Sequence, residues 1–342
     1  MSFTPRYCPR DDCLAHRPDT PFPWRRRGFF RRKVDGRRVQ RFLCLTCRHS
    51  FSTQSFRLDY RLRLPRLHHA VFCLLVSKVT LRQSARLLGV RRKTVTHRFA
   101  LLADHARAFH RERLERLREK GGLCGPFQLD ELETFETSRR LKPVTVPVLI
   151  EEKSWFVVHC EAAPLAPRRP LKPHLEARLA EIEKVEGKRR SGSTPAVRRS
   201  FARLVELVPR RAAVKVTTDR KSSYRTALRR LLGERVRHVR VSSKQKRDVR
   251  NPLFRINVTL AMLRDGVSRL VRRSWGAAKQ RAWLERHLWV WVAWRNYLRV
   301  VVNDRAQCKH ASPASLVGAA RRKLSSQEVF TWRVGPSRSA SP

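Results

Sequence analysis

Phe127-Gln-Leu-Asp-Glu-Leu-Glu-Thr-Phe135 sets acidic residues among apolar ones, and Val214-Lys-Val-Thr-Thr-Asp219 is a second β-rich run that ends on a carboxylate. Each run reads as a short strand that delivers one aspartate, Asp130 or Asp219. The surrounding chain holds 77 lysines and arginines against 28 acidic residues, a net charge of +49. In such a chain every acid can be neutralised in a surface ion pair, so a carboxylate kept on an apolar strand needs a separate reason. Two of them offer the hard oxygen ligands that Mg²⁺ or Mn²⁺ takes. Glu131 and Glu133 project from the other strand face and are expected to be solvated.

Downstream of Asp130, segments 144–151 and 155–160 continue the strand pattern across short polar or Pro-containing turns and predict an antiparallel meander. A fourth strand covers 212–218. The basic stretch before it, near 165–210, includes Arg189-Arg-Ser-Gly-Ser-Thr-Pro195, which reads as a flexible insertion, and a helix from Val197 to Val208. Behind Asp219, Ser222 or Ser223 is placed to cap a helix with Tyr224, Leu228 and Leu231 on one face and Gly233 as its stop. A fifth strand spans Val236 to Val241. From Pro252, Ile256, Leu260, Leu263, Val267 and Leu270 form one apolar helical stripe. Asn257 sits about 100° around the helix from Ile256, on the edge of that stripe, where a third ligand would reach the two aspartates. Asp265, two turns on, is a weaker substitute. In a last helix, 283–301, Trp289, Trp291 and Trp294 read as core or dimer interface before base-stacking platform.

At the other end of the chain, Cys8 and Cys13 form one pair and Cys44 and Cys47 another. Four thiolates on two turns suit a tetrahedral structural Zn²⁺ in a segment too small to bury a core of its own, which reads as a zinc ribbon. His16 is near enough to replace one member of the first pair. Cys73, Cys124, Cys160 and Cys308 are isolated and read as small core residues. Thr80 is a plausible N-cap, and 80–99 reads as helix, turn, helix: Ala85 permits close approach, Gly89 makes the turn, and Val90, Val95 and Phe99 pack inward. Arg91, Arg92, Lys93, Thr96 and His97 then face outward, as a helix entering a major groove requires. A longer charged helix follows through Arg118 and stops before Gly121-Gly122, the clearest boundary in the chain.

With 342 residues and an apolar fraction of 41%, the chain has room for two or three folded domains. Its positive charge calls for a polyanionic partner, expected to be double-stranded DNA. No apolar run approaches the roughly 18 residues of a membrane span, and no signal-peptide pattern opens the chain, so a cytoplasmic, nucleoid-associated protein without a membrane partner is expected. Arg220, Lys221 and Lys279 are placed by sequence to meet phosphate, with a solvated surface charge as the alternative reading for each. Tyr224, Ser222 and Ser223 lack the His and Arg partners that a tyrosine or serine recombinase would need.

The cysteine pairs, the 80–99 segment, Phe127 to Phe135, Val216-Thr-Thr-Asp-Arg-Lys-Ser222, Asn251-Pro-Leu-Phe-Arg-Ile-Asn257 and Leu263 to Trp275 together resemble the bacterial insertion-sequence transposases of the DDE superfamily. The likeness is to the branch that joins a zinc ribbon and helix-turn-helix to an RNase H-like catalytic domain. It spans nearly all of the chain and implies an α/β (mixed) fold with a five-stranded mixed sheet. The expected boundaries are a zinc ribbon at 1–60, a helix-turn-helix module at 61–120, a catalytic domain at 121–325 and a polar tail at 326–342. In that fold the first and fourth strands are neighbours, which implies that Asp130 and Asp219 meet. The resemblance further implies two Mg²⁺ or Mn²⁺ ions, DNA strand cleavage and transfer at element termini and target, and a homo-oligomer on DNA. Asn257 departs from the common pattern, which has Glu, although some members of the related branch carry Asn. Its amide oxygen can ligate a cation but brings no charge and cannot act as a base. The competing readings are a DNA-binding regulator that no longer cuts, and a structure-selective nuclease of the same fold.

Overall fold

The computed structural model describes residues 3–17, 20–271, 276–301 and 310–332. The chain divides into two compact units, one of Met1–Ala70 with Ser326–Pro342 and one of Val71–Ser325.

The smaller unit is built on an antiparallel sheet, β1 (Trp24–Arg31), β2 (Arg38–Cys44) and β3 (Ser50–Ser52). Its core is aromatic. Phe42 lies at the centre with Phe51 stacked on it at 5.5 Å, Trp24 edge-on at 5.3 Å and Phe3 edge-on at 5.8 Å. Such ring pairs add roughly 0.5–1.5 kcal/mol each beyond their burial. Behind the sheet Arg32 and Arg57 close on the buried Asp59 carboxylate.

Helix α1 (Leu67–Val76) spans the division at Ala70. In the larger unit α2 (Leu81–Leu87) begins at Thr80 with a full capping box, in which Thr80 and Gln83 exchange side-chain and backbone hydrogen bonds. Gly89, at φ +61°, turns the chain into α3 (Arg92–Glu119). The second helix of the 80–99 segment and the charged helix expected after it are therefore one 28-residue helix. Nothing between Phe99 and Arg118 breaks it, since the interval holds neither Gly nor Pro.

The central sheet runs β6–β5–β4–β8–β9, with the two-residue β7 (Ala163–Pro164) paired to β5. Strand β4 (Phe127–Phe135) is antiparallel to β5 (Pro143–Glu151), which is antiparallel to β6 (Val157–Cys160). Strands β8 (Val214–Asp219) and β9 (Val236–Val241) run parallel to β4. This is the mixed sheet expected, with the first and fourth of its long strands side by side. Every residue of β5 is buried, as an apolar run covered on both faces must be.

Two helical layers cover the sheet. Helices α5 (Ser193–Leu207) and α6 (Ser222–Leu232) lie on the face to which Glu131 points; α7 (Phe254–Gly266) and α8 (Arg281–Ala293) lie on the face of Gln128 and Leu132. Ile256, Leu260, Leu263, Val267 and Leu270, the stripe read from sequence, are all in that second core, with Trp289 and Trp291. Those two tryptophans are core residues, and Trp294 packs on them half-buried. Fully burying one such large apolar side chain contributes about 1.5–3 kcal/mol.

Several expectations need correction. The basic stretch that holds the segment read as a flexible insertion is structured: α4 (Pro173–Glu186) lies in it, and α5 starts at Ser193, inside Ser-Gly-Ser-Thr-Pro. Arg189 anchors the approach, its guanidinium donating to Glu136 at 2.7 Å and to the Pro143 carbonyl at 3.0 Å. Neither Ser222 nor Ser223 caps α6, whose N-cap is Lys221. The last long helix ends at Ala293 and passes into a wider turn over Trp294–Leu298. Cys160 is buried as expected, but Cys73 and Cys124 are exposed; Cys308 lies outside the described residues, as does most of the tail expected at 326–342.

Candidate metal and nucleic-acid site

Strand register brings the two aspartates together. Phe127 pairs with Val216 and Gln128 with Thr217, and two residues further along both strands stand Asp130 and Asp219. The ladder between these strands ends at Gln128 and Thr217; carried on in the same register it puts Asp130 and Asp219 on one face, and the charge of Asp219 acts on Asp130. That face is the α7 side, because Gln128 and Leu132 alternate with Asp130's neighbours and Val241, the partner of Asp219 in β9, belongs to the α7 core. Both aspartates are half-buried. Burial first, and then the charge of Asp219, push the Asp130 carboxyl up to about 6, against the opposing hydrogen bond from the Glu131 N–H. Asp219 accepts the Lys221 N–H at 2.9 Å.

Asn257 stands on the first turns of α7, next to the fully buried Ile256, and is half-buried on the same side of the sheet. Among the described residues its amide makes no hydrogen bond. The donor set of two carboxylates held on one face and one uncommitted amide oxygen fits a hard divalent cation. Asp265 does not join it: its side chain is 89% exposed and faces Lys78 at 3.6 Å. Arg247, which sequence reasoning missed, contributes an attractive charge to Asp130. Its loop carried no signal beyond basic composition.

Glu131 overturns the expectation that it is solvated. Its side chain is 9% exposed and receives the Thr145 hydroxyl at 2.7 Å, the Ser193 hydroxyl at 2.8 Å, the Tyr224 hydroxyl at 2.8 Å and the Lys221 ammonium. Burial raises its carboxyl, but these donors outweigh it and hold Glu131 below the usual carboxylate range. Burial and the Glu131 charge keep the Tyr224 hydroxyl protonated, so Tyr224 is a hydrogen-bond donor here. Lys221, expected to meet phosphate, has its ammonium turned inward to Glu131 and Ser193. Glu133 is 54% exposed and pairs with Arg168.

In the smaller unit Cys8, Cys13, Cys44 and Cys47 bring their four Sγ atoms within 4.8 Å of one another. Cys8 and Cys47 are 3.6 Å apart, Cys13 and Cys44 3.9 Å. Four thiolates about 2.3 Å from a tetrahedral Zn²⁺ lie roughly 3.8 Å from each other, so the cluster fits that ion. Burial raises the Cys8 thiol. At Cys44 burial acts the same way, but hydrogen bonds from the Cys47 and Thr46 backbone prevail and bring it down to about 7. His16 is outside the set, its Nδ1 being bonded to the Cys8 carbonyl at 2.7 Å.

The α2–α3 pair presents Arg91, Arg92, Lys93 and His97 as exposed residues with Thr96 half-buried, over a core of Val95 and Phe99. Arg220 and Lys279 are exposed. Strand β1, whose sequence Trp24-Arg-Arg-Arg-Gly-Phe-Phe-Arg31 is exposed from Arg25 onward, adds a further basic surface. No helix among the described residues is long and apolar enough to cross a membrane.

No protein-family model and no curated protein matches the chain. Similar solved structures include a pre-cleavage Mos1 transpososome, 13% identical, covering 66% of this chain and 74% of that one with a TM-score of 0.22. The catalytic domain of Mos1 mariner transposase is 14% identical, covers 56% and 85%, and has a TM-score of 0.24. A Mos1 mariner paired-end complex with Mn is 13% identical, covers 63% and 70%, and has a TM-score of 0.23. Likeness at that level carries no weight for the site, which stands on the geometry above.

Proposed function

We propose that this chain is a transposase of the bacterial insertion-sequence type, a DDE enzyme with Asn in third place, which binds element ends and carries out metal-dependent cleavage and transfer of DNA strands. The observation that supports this reading is the parallel pairing of Phe127 with Val216 and Gln128 with Thr217, two residues short of Asp130 and Asp219 on their strands, within a chain of charge +49. Asp130, Asp219 and the Asn257 amide oxygen are the residues that would hold Mg²⁺ or Mn²⁺. When bound, the ions supply the Lewis acidity and the activated oxygen nucleophile that in-line displacement at phosphorus requires.

The chain's own groups do the rest. Two carboxylates balance most of the cation charge, because Asn257 adds none. Arg247 lies close enough to act on Asp130 electrostatically, and with the exposed Arg220 and Lys279 it is suited to hold the phosphate backbone. Arg91, Arg92, Lys93, Thr96 and His97 are the residues we assign to major-groove contact. Cys8, Cys13, Cys44 and Cys47 hold a structural Zn²⁺ in a ribbon. Duplex DNA and a second copy of the chain on that DNA are the partners.

Asn257 favours one competing reading, a DNA-binding regulator that no longer cuts. Incubating the full chain and Mn²⁺ with DNA carrying the element's terminal repeats separates them: strand cleavage followed by joining of the freed 3′ end supports the transposase, binding without cleavage supports the regulator, and cleavage of branched DNA without joining supports a structure-selective nuclease.

A further inference from the structure

We propose that Gln128 is a positioning residue for the third ligand, an amide clamp that registers the start of α7, and with it Asn257, against the strand that carries Asp130. The inference rests on the metal-site reading above.

Gln128 is 1% exposed and stands two residues before Asp130, on the same face of β4. A buried primary amide must satisfy both ends, and this one spends both on a single target. Its Nε2 donates to the Pro252 carbonyl at 2.7 Å, and its Oε1 accepts the Ile256 N–H at 2.9 Å. Ile256 is the third residue of α7, so its N–H has no partner within the helix and is the group an N-cap side chain normally serves. The N-cap residue here is Leu253, which has no side-chain acceptor. Gln128 does that work from a neighbouring strand. Asn251 fixes the preceding turn, accepting the Leu253 N–H at 2.8 Å and donating to the Lys246 carbonyl at 2.8 Å.

The chemistry of Asn257 makes this clamp matter. A glutamate at that place would be drawn to the cation by its charge; a neutral amide has only the ion–dipole attraction of one oxygen, so its position has to be set in advance by the protein. The residue whose peptide N–H Gln128 holds is the immediate neighbour of Asn257. One side chain thereby ties the strand that carries the first carboxylate to the helix that carries the uncharged ligand.

The test is a double-mutant cycle on the full chain, read as Mn²⁺ affinity by electron paramagnetic resonance, together with amide hydrogen exchange at Phe254 to Asn257. Gln128→Leu is expected to weaken Mn²⁺ binding about tenfold, the lower range for loss of a group that orients a ligand, and to speed exchange at the Ile256 N–H. Gln128→Glu, which keeps the acceptor and loses the donor, should fall between the two and guards against misfolding of the leucine variant. In an Asn257→Ala background Gln128→Leu should produce no further loss. Unchanged affinity and exchange in both Gln128 variants would overturn the proposal, as would a loss that persists in full without Asn257, since Gln128 would then act only on the strand. If the parent binds Mn²⁺ no better than Asp130→Asn does, the metal-site reading fails first, and that outcome is visible before any Gln128 variant is made.

Discussion

Lys221 places its ammonium on the Glu131 carboxylate, on the face of the sheet opposite Asp130 and Asp219. The same residue's N–H holds the Asp219 carboxylate, so the two ends of Lys221 serve the two faces of the sheet. The charge next in sequence to Asp130 is therefore spent on structure: it joins β4 to β5 through Thr145, to α5 through Ser193 and to α6 through Lys221 and Tyr224.

Glu131→Ala leaves the Tyr224, Ser193 and Thr145 hydroxyls and the Lys221 ammonium without their shared acceptor. Lys221 is 39% exposed at its side chain and regains water, so a loss of about 2–3 kcal/mol is expected rather than the larger figure for a fully buried pair. Glu131→Gln keeps a neutral acceptor and should cost less. Urea unfolding of the three proteins checks the order.

Two buried histidines and one half-buried histidine make the larger unit sensitive to acid. Burial lowers His110 and His287 from 6.5 to about 4 and, with the Arg203 charge, His159 to about 3. His110 is neutral in a way its neighbours require, with one ring nitrogen bonded to the Val158 carbonyl at 3.0 Å and the other to the Tyr297 hydroxyl at 2.9 Å. Because these folded-state values lie below the unfolded one, the unfolded chain binds more protons between about pH 6.5 and 4, and stability falls as pH drops through that window. Each histidine contributes up to about 2 kcal/mol of loss by pH 5. Thermal unfolding at pH 7.5, 6 and 5 should show the decline, and His110→Gln should shallow it.

The cysteine cluster should carry one zinc per chain by elemental analysis. Cys44→Ser, or treatment with a strong chelator, is expected to abolish that content and to unfold the smaller unit, whose apolar core is a handful of rings around Phe42. Retention of full near-ultraviolet ellipticity after removal of the metal would oppose a structural role.

The sequence was informative where a periodic pattern met a burial requirement. Five long strands, the α7 stripe and the cysteine cluster were legible because alternation and helical spacing report which face is covered. The parity that places Glu131 opposite Asp130 says nothing about what covers that face, and here α5 and α6 bring three donors to it, with a fourth from Thr145 of β5. α4 and the start of α5 were missed for a related reason: Gly, Ser and Pro marked a helix N-terminus, where Pro is tolerated, rather than a flexible loop. Gln128 had no sequence signature, since its partners Pro252 and Ile256 are backbone groups far along the chain.

DNA binding should be strongly dependent on salt. Replacing Arg91, Arg92 and Lys93 together by alanine should reduce the slope of log affinity against log salt by up to about 0.9 for each phosphate that is no longer neutralised. If these residues read bases in the major groove, discrimination between terminal-repeat and unrelated duplex should fall as well. Fluorescence anisotropy between 50 and 200 mM salt, roughly the range over which phosphate neutralisation is resolved, gives both numbers. A variant with the parent's slope and discrimination would remove the α2–α3 surface from the interface.

Mn²⁺ binding to the parent, Asp130→Asn and Asp219→Asn tests the paired carboxylates most directly. Each substitution keeps the side chain's shape and removes one charge. A shared site predicts that the parent binds and that each single variant loses most of the affinity, because neither aspartate has a second carboxylate to replace its partner. Binding that survives unchanged in either variant would contradict the shared site.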